Sequence, residues 1–469
     1  MMGAAINVVP LMLQRNVPGI GPYVLPAYLV AAVPAILAAM AYAILASAMP
    51  RAGGSYVYAS RSLNPYLGFV ASFSQWFGLS IAIGVVSYLL APFLRDIAAA
   101  LGFEGLAAVL ISGPVRVLVA MAFLWTFAAV NLLGIRAYER TLVPLMVLMF
   151  LGGLVVIFTG FGADHAEFLQ AVADREGVAP ALTATTEFDL WKFAAAAVML
   201  FSSFIGFDAI AQAGGEARNP NRNLPLAIGI SVIVVGGFYM LFTAAIYHAV
   251  PWQYVAARAT AEDLTAPGLL GYLLSPGWTV VIVAGAAIAL ANDLPAMILA
   301  VSRLMFAWGE DGIFPRFVTA VSSRHHTPHV AIVASSLMAT CGILGSHLAG
   351  DFFLGVDILV TSMLVNFLLV CLSLVALPYR NPALASQIRF VRHRGAQRAV
   401  GLSGALLLGF LLIVHLAKDL AAPVDAWYFR STWLWLVVMI VASGIFISKW
   451  RHLRHDPDTR RRFSDLPPQ

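Results

Sequence analysis

Charge is scarce in this chain. Its 469 residues hold 28 Lys and Arg and 23 Asp and Glu, or 11% charged. Soluble domains carry about 25%, so a soluble enzyme with a tail is excluded. Cysteine is nearly absent, and both copies, Cys341 and Cys371, sit inside apolar runs where no disulfide can staple an outer domain. There is no G-x-x-x-x-G-K-[ST] phosphate loop and no H-E-x-x-H helix. ATP-driven transport and zinc hydrolysis therefore lose support, and no catalytic constellation, metal set or cofactor motif is read. His325-His326-Thr327-Pro328-His329 lies in a loop without nearby Cys or acidic ligands and reads as solvated. No Lys or Arg precedes Arg15 and no A-x-A site follows a short apolar core, so no cleavable signal peptide is expected. The basic residues form no single patch, which argues against nucleic acid.

Long apolar runs are abundant. Hydrophobic residues make up 61% of the chain, and mean hydropathy is +0.86. About 20 apolar residues cross the hydrocarbon core as a helix. That length predicts spans at 23–49, 65–94, 114–134, 140–161, 191–213, 225–250, 278–307, 329–348, 353–377, 400–417 and 432–449. A shorter apolar piece, 2–14, opens the chain. If 50–64 faces the cytoplasm, alternation puts twenty of the 28 basic residues inside, among them Arg51, Arg61, Arg136, Arg218, Arg303, Arg316, Arg380 and Lys449. This is the positive-inside pattern of a multi-pass protein of the cytoplasmic membrane. The chain reads as one transmembrane domain over 1–450, with two extra helices in 400–450. A basic cytoplasmic tail, 451–469, is expected to be disordered. The segment 162–190 is acidic and falls outside.

One span is interrupted. Phe204-Ile205-Gly206-Phe207-Asp208 puts a glycine and a carboxylate inside a membrane-length run, and the polar loop Gly214-Gly215-Glu216-Ala217-Arg218-Asn219-Pro220 follows. An Asp at a helix centre costs roughly 2.5–3.5 kcal/mol on insertion scales. A broken helix with a polar residue at the break points to a transporter's substrate site. Asp208 is a candidate to bind a substrate amine, carry a proton or gate the site; the competing reading is that it holds the unwound backbone. Phe201, Phe204 and Phe207 recur on one face, as an aromatic gate or as packing. Asn292 and Asp293 sit within the span 278–307, the eighth helix if the piece 2–14 is counted first; Asp293 is a second candidate for ion or proton coupling, the competing reading being a polar clamp to a neighbouring helix. Protons rank above sodium because two intramembrane acids offer proton sites. Glu216 and Arg218, with Arg51 and Arg303, are candidates for an inner gate closed by ion pairs, or are solvated loop charges. Trp76, Asn131 and Asn366 read mainly as interhelical hydrogen-bonding residues.

Three stretches resemble the amino acid–polyamine–organocation superfamily of secondary transporters. They are Leu45-Ala46-Ser47-Ala48-Met49-Pro50-Arg51-Ala52-Gly53-Gly54-Ser55-Tyr56-Val57-Tyr58, the break at Gly206-Phe207-Asp208 with Glu216, Asn219-Pro220 and Pro225, and Ser302-Arg303-Leu304-Met305-Phe306-Ala307 with Asp311-Gly312 and Phe314-Pro315. Ile44 stands where the family's second helix usually has an acid. The resemblance implies an all-α inverted-repeat fold of five plus five helices and about 12 spans, with repeats near 1–161 and 191–377 and helices 1 and 6 discontinuous. It also implies amino acids or related amines as substrates.

Gly3-Ala4-Ala5-Ile6-Asn7 matches the family's first-helix break, with Ala5 for its second glycine. About half a helix precedes this point in the family and two methionines do here, so a truncated first helix is expected. Substrate contacts are therefore expected from Gly3, Ala4, Ala5 and Ile6 and from Phe204, Ile205, Gly206, Phe207 and Asp208. Half-helix termini and unwound carbonyls suit a zwitterion. The resulting expectation is alternating-access transport of amino acids, by proton-coupled symport or exchange. A polyamine or nucleobase carrier of the same fold, a channel and a transport-inactive sensor are the alternatives.

Overall fold

A computed structural model describes residues 4–180, 182, 184–349, 353–424, 426–455 and 459–466. Among the described residues, ten helices are long and apolar enough to cross a membrane. In chain order, the helices that matter here are α1 (Ala4–Asn16), α2 (Val24–Ala48), α3 (Gly54–Ser62), α4 (Pro65–Ala100), α5 (Gly113–Leu132), α6 (Ile135–Phe161), α7 (Leu190–Phe201), α8 (Asp208–Gln212), α9 (Pro220–Ala249), α10 (Pro276–Glu310), α11 (His329–Ala349), α12 (Phe353–Arg380), α13 (Arg394–Ala421), α14 (Ser431–Leu453) and α15 (Thr459–Ser464). Among the described residues there is no strand, only an isolated bridge between Ala52 and Ala213. The chain is an all-α membrane protein.

The eleven spans expected from apolar length each coincide with a helix, the fifth being the interrupted pair α7 and α8. Local signals set several starts. Asn64 accepts from Leu67 N–H with Pro65 at the first helical position of α4, and Asp189 accepts from the N–H groups of Trp191 and Lys192 at α7. Burial separates an inner set of helices from an outer one. The most apolar windows of α4 and α10 are 83% and 72% buried, whereas those of α6 and α14 are each 22% buried. In a bilayer, α6 and α14 are left for lipid, and α4 and α10, which pack on each other, form the middle of the bundle.

One region differs from expectation. The tail is not featureless: residues 459–464 form α15, Phe463 meets Trp450 edge-on at 5.5 Å between ring centroids, and Asn381 donates to the Ser464 carbonyl at 2.9 Å. One buried aromatic and one hydrogen bond anchor what composition alone marks as disordered. The connection 251–275 also folds, into short helices Trp252–Ala259 and Ala266–Leu270, the second capped by Thr265. Tyr254 packs edge-on against Phe168 of the helix His165–Glu176, which joins the connections 162–190 and 251–275.

Candidate functional site

The interruption between α7 and α8 is built residue by residue. After Phe201 the chain tightens into a 3-10 turn, Ser202–Phe204, and then extends at Ile205 (φ −67°, ψ 132°). Gly206 follows at φ +139°, a dihedral that a Cβ strongly disfavours. Asp208 opens α8 and accepts from the Gly206 N–H at 3.0 Å, so the acid satisfies a donor that the break frees. Its other oxygen accepts from Gln75 Nε2 at 2.5 Å.

From Gln75 a chain of buried hydrogen bonds crosses the bundle. Gln212 donates to Gln75 Oε1 at 3.1 Å and to Ser55 Oγ at 2.7 Å. The Ser55 and Tyr42 hydroxyls share a hydrogen bond of 2.5 Å, and Asn366 donates to Tyr42 at 2.7 Å. Five elements, α2, α3, α4, α8 and α12, are thereby tied to the break. Two of its amide oxygens, Gln212 Oε1 and Asn366 Oδ1, find no hydrogen-bond partner among the described residues, so its pairing is partial.

The three sequence stretches with the family resemblance meet at one end of the bundle. Gly53 N donates to the Gln212 carbonyl at 3.1 Å beside the Ala52–Ala213 bridge. A Cβ on Gly54 would lie 2.7 Å from the Ala211 carbonyl oxygen, and one on Gly53 would lie 2.4 Å from the Ala307 Cβ. Glycines stand here because the α2–α3 turn, α8 and α10 come into backbone contact. This inner end, with the loops expected to be cytoplasmic, also holds Arg61, Tyr56 and Asp311.

On the other side of the break is a cavity of about 90 Å³. Val8 and Val9 of α1, Leu79, Val85 and Leu89 of α4, Ser202, Ser203 and Ile205 at the break, Tyr239 of α9, Asp293 and Met297 of α10, and Gly355, Val356 and Leu359 of α12 line it. It lies where unwound backbone, α1 and the two central helices converge, the arrangement expected of a transporter's binding site.

The structure distributes the expected site residues unevenly. Ile205 and Asp293 border the cavity. Ile6 borders a second hollow of about 20 Å³, with Asn7, Tyr239 and Gly285. Phe204, Gly206 and Phe207 border a third, of about 40 Å³, against Val232 and Val235 of α9. Phe207 stacks on Phe367 at 5.0 Å and meets Tyr42 edge-on, Phe201 meets Phe367 edge-on, and Phe204 tilts onto Tyr28. The aromatic triplet is thus packed into the bundle around the break. Asp208 is fully buried in the hydrogen-bond network. Gly3 and the side chains of Ala4, Ala5 and Glu216 lie outside the described residues. Arg303 is buried at the inner end with Nη1 on Ser302 Oγ at 3.1 Å, Arg51 is half-buried there, and Arg218 is exposed.

Sequence reasoning missed Val85, Met297, Gly355 and the serine pair, because aliphatic and small residues inside an apolar run carry no contrast. Trp76 donates to Ser335, Asn131 to the Pro295 carbonyl and Asn366 to Tyr42, three bonds between helices.

Comparison with known proteins completes the picture. The chain is 26% identical over 367 residues to the low-affinity putrescine importer of Escherichia coli (strain K12), covering 77% of this chain and 72% of that one. An uncharacterized transporter of Mycobacterium tuberculosis is 31% identical over 325 residues, covering 68% and 66%. The vacuolar cationic amino acid transporter 2 of Arabidopsis thaliana is 26% identical over 370 residues, covering 77% and 55%. A family profile described as amino acid permease matches residues 1–445. With that match spanning nearly all of the chain, the protein belongs to the amino acid permease family, within the amino acid–polyamine–organocation superfamily.

Proposed function

We propose that this protein, a multi-pass membrane transporter of amino acids or amines, works as a secondary transporter in the cytoplasmic membrane by alternating access. The observation that carries the reading is the cavity at the α7–α8 break, bordered by Ile205, Asp293 and the two central helices. Coupling requires ion and substrate to stabilise the same state. Asp293 at the cavity wall and Asp208 at the break beside it offer two protonatable carboxylates for that overlap. Proton-coupled symport or exchange is therefore preferred to sodium coupling. Alternation would open the inner end, where α3, α8 and α10 are in contact; Arg51, Arg218, Arg303 and Glu216 belong to the same face and are assigned to that gate.

A second reading, transport of a polyamine, draws on the Escherichia coli relative named for putrescine import.

The test is uptake of a labelled amino-acid mixture into proteoliposomes with an inward proton gradient that is then collapsed. Uptake above protein-free liposomes that falls on collapse supports proton coupling. Uptake indifferent to the gradient moves the mechanism to exchange or sodium. Binding of substrate without flux overturns the transport mechanism.

A further inference from the structure

The connection between α12 and α13 gathers positive charge without a counter-charge of its own. Five arginines lie from Arg380 to Arg398, and no Asp or Glu stands between Asp357 and Asp419. At the end of the bundle with the loops expected to be cytoplasmic, this connection and the first turn of α9 border an open basin of about 590 Å³. Arg389, Arg392 and Arg394 line it with Asn221, Ser386 and Gln397, and no acid is among its described lining residues. Among the described residues, no carboxylate lies within ion-pair distance of these three arginines.

A loop that only sets topology needs the charges and no fixed geometry. This loop is held in place. Buried Gln397 accepts from Arg394 Nη1 at 2.9 Å and donates to the Val391 carbonyl at 2.8 Å, and Arg394 Nη2 donates to the Ala385 carbonyl at 3.0 Å. The N–H groups of Arg389 and Phe390 both donate to Ser47 Oγ of α2, at 3.2 and 3.3 Å. Val391, between Arg389 and Arg392, takes φ +52°, which is costly for a β-branched residue. Like charges fixed around one space repel. A phosphate removes that repulsion and accepts the forked N–H groups of guanidinium.

Position selects the kind of phosphate. Both α9 and α13 pack against α2. One to three turns beyond the basin they expose Leu226 and Ile230, and Leu402 and Leu406, where a bilayer would lie. We propose that the basin holds the phosphate headgroup of an anionic phospholipid of the adjoining leaflet, with its acyl chains along α9 and α13. Basic pockets at helix ends on the cytoplasmic side suit such headgroups. The lipid bridges Asn221 of α9 and the α12–α13 connection. The basin shares no lining residue with the cavity at the break, so the proposal does not rest on the transport reading.

Binding of fluorescent phosphatidylglycerol to the purified full chain in detergent tests it, with unlabelled phosphatidylglycerol, phosphatidylcholine, inorganic phosphate and glycerophosphoglycerol as competitors. Phosphatidylglycerol is expected to compete roughly tenfold more effectively than phosphatidylcholine. Equal competition by the two lipids, or no binding of the probe, overturns the proposal. Competition by inorganic phosphate or glycerophosphoglycerol at the concentrations where the lipid acts gives the basin to a soluble phosphate and overturns the lipid assignment.

Arg389→Gln combined with Arg392→Gln is expected to weaken phosphatidylglycerol binding roughly tenfold. Arg136→Gln combined with Arg324→Gln removes the same charge from other loops expected to be cytoplasmic and should leave binding unchanged. Equal loss in the two double variants reveals a diffuse surface potential and overturns the site, as does full affinity in the first. Ser386→Glu keeps every arginine and adds a carboxylate to the wall. It should weaken binding in the same direction, so the answer does not hang on the folding of one variant. Unchanged affinity in a Ser386→Glu protein that melts with the wild type overturns the placement of the headgroup.

Discussion

Arg61 and Asp311 form a two-pronged ion pair at the inner end of the bundle. Nη1 lies 2.5 Å from Oδ2 and Nη2 lies 2.9 Å from Oδ1, with side-chain exposures of 0% and 5%. Tyr56 donates to the same carboxylate at 2.6 Å. The pair joins α3 to the end of α10, two elements that must separate if this face opens. Removing one partner of a buried pair leaves an uncompensated charge and costs roughly 3–5 kcal/mol. Arg61→Ala and Asp311→Ala are each expected to lower thermal stability in detergent by an amount of that order. The double variant should lose clearly less than the sum. Additive losses would show that the two side chains are not coupled.

The C-terminal segment closes over the same arginine. Arg61 donates from Nη2 to the Arg462 carbonyl at 2.8 Å and from Nε to the Asp465 carbonyl at 3.2 Å, and its guanidinium lies 5.5 Å from the Phe463 ring centroid. Deleting residues 456–469 removes two acceptors from a buried cation. A lower melting temperature is expected, with Phe463→Ala giving a smaller shift in the same direction. A deletion variant that melts with the wild type would mean that solvent replaces these contacts without loss.

How much of this was readable in advance depended on contrast. The span map follows from apolar length, and the break at Gly206 and Asp208 stands out because glycine and a carboxylate interrupt Phe, Ile and Ala. Asp293 was visible for the same reason. Val85, Met297 and Gly355 were not, because an apolar residue in an apolar helix looks the same whether it faces lipid, a neighbour or a cavity. Gln75 and Gln212 were equally hidden: their role comes from pairing across more than a hundred residues of sequence. The docking of α15 depends on one aromatic, Phe463, within a strongly basic tail, and composition averaged it away.

Asp208 has two jobs that one substitution separates. It accepts from the Gly206 N–H, which stabilises the unwound turn, and from Gln75 Nε2, which links the break to α4. Asp208→Asn keeps an acceptor for Gly206, so the protein is expected to remain folded. It places an amide donor where a carboxylate oxygen stood and removes a protonatable group. Flux should fall, or its dependence on external pH should flatten, while the melting temperature moves little. Wild-type flux with an unchanged pH profile would reduce Asp208 to a structural cap.

Two glycines of α11 separate backbone packing from helix propensity. A Cβ on Gly342 would stand 2.4 Å from the Ile81 carbonyl oxygen, and on the facing helix a Cβ on Gly84 would stand 2.2 Å from the Ala339 carbonyl oxygen. The backbones of α4 and α11 touch there, as small residues permit between membrane helices. A Cβ on Gly345, one turn further along α11, would meet nothing within 4 Å beyond its own helix. Gly345→Ala should be neutral or gain a few tenths of a kcal/mol to about 1 kcal/mol from helix propensity. Gly342→Ala gains the same propensity but must push α4 away, and overpacking of this kind typically costs about 1–3 kcal/mol. Because α4 also carries Val85 and Gln75, the displacement should reach the cavity and reduce ligand affinity along with thermal stability. Thermal unfolding and ligand binding of the two variants side by side give the answer. Equal behaviour of the two alanines would mean that the α4–α11 contact is looser than the structure shows.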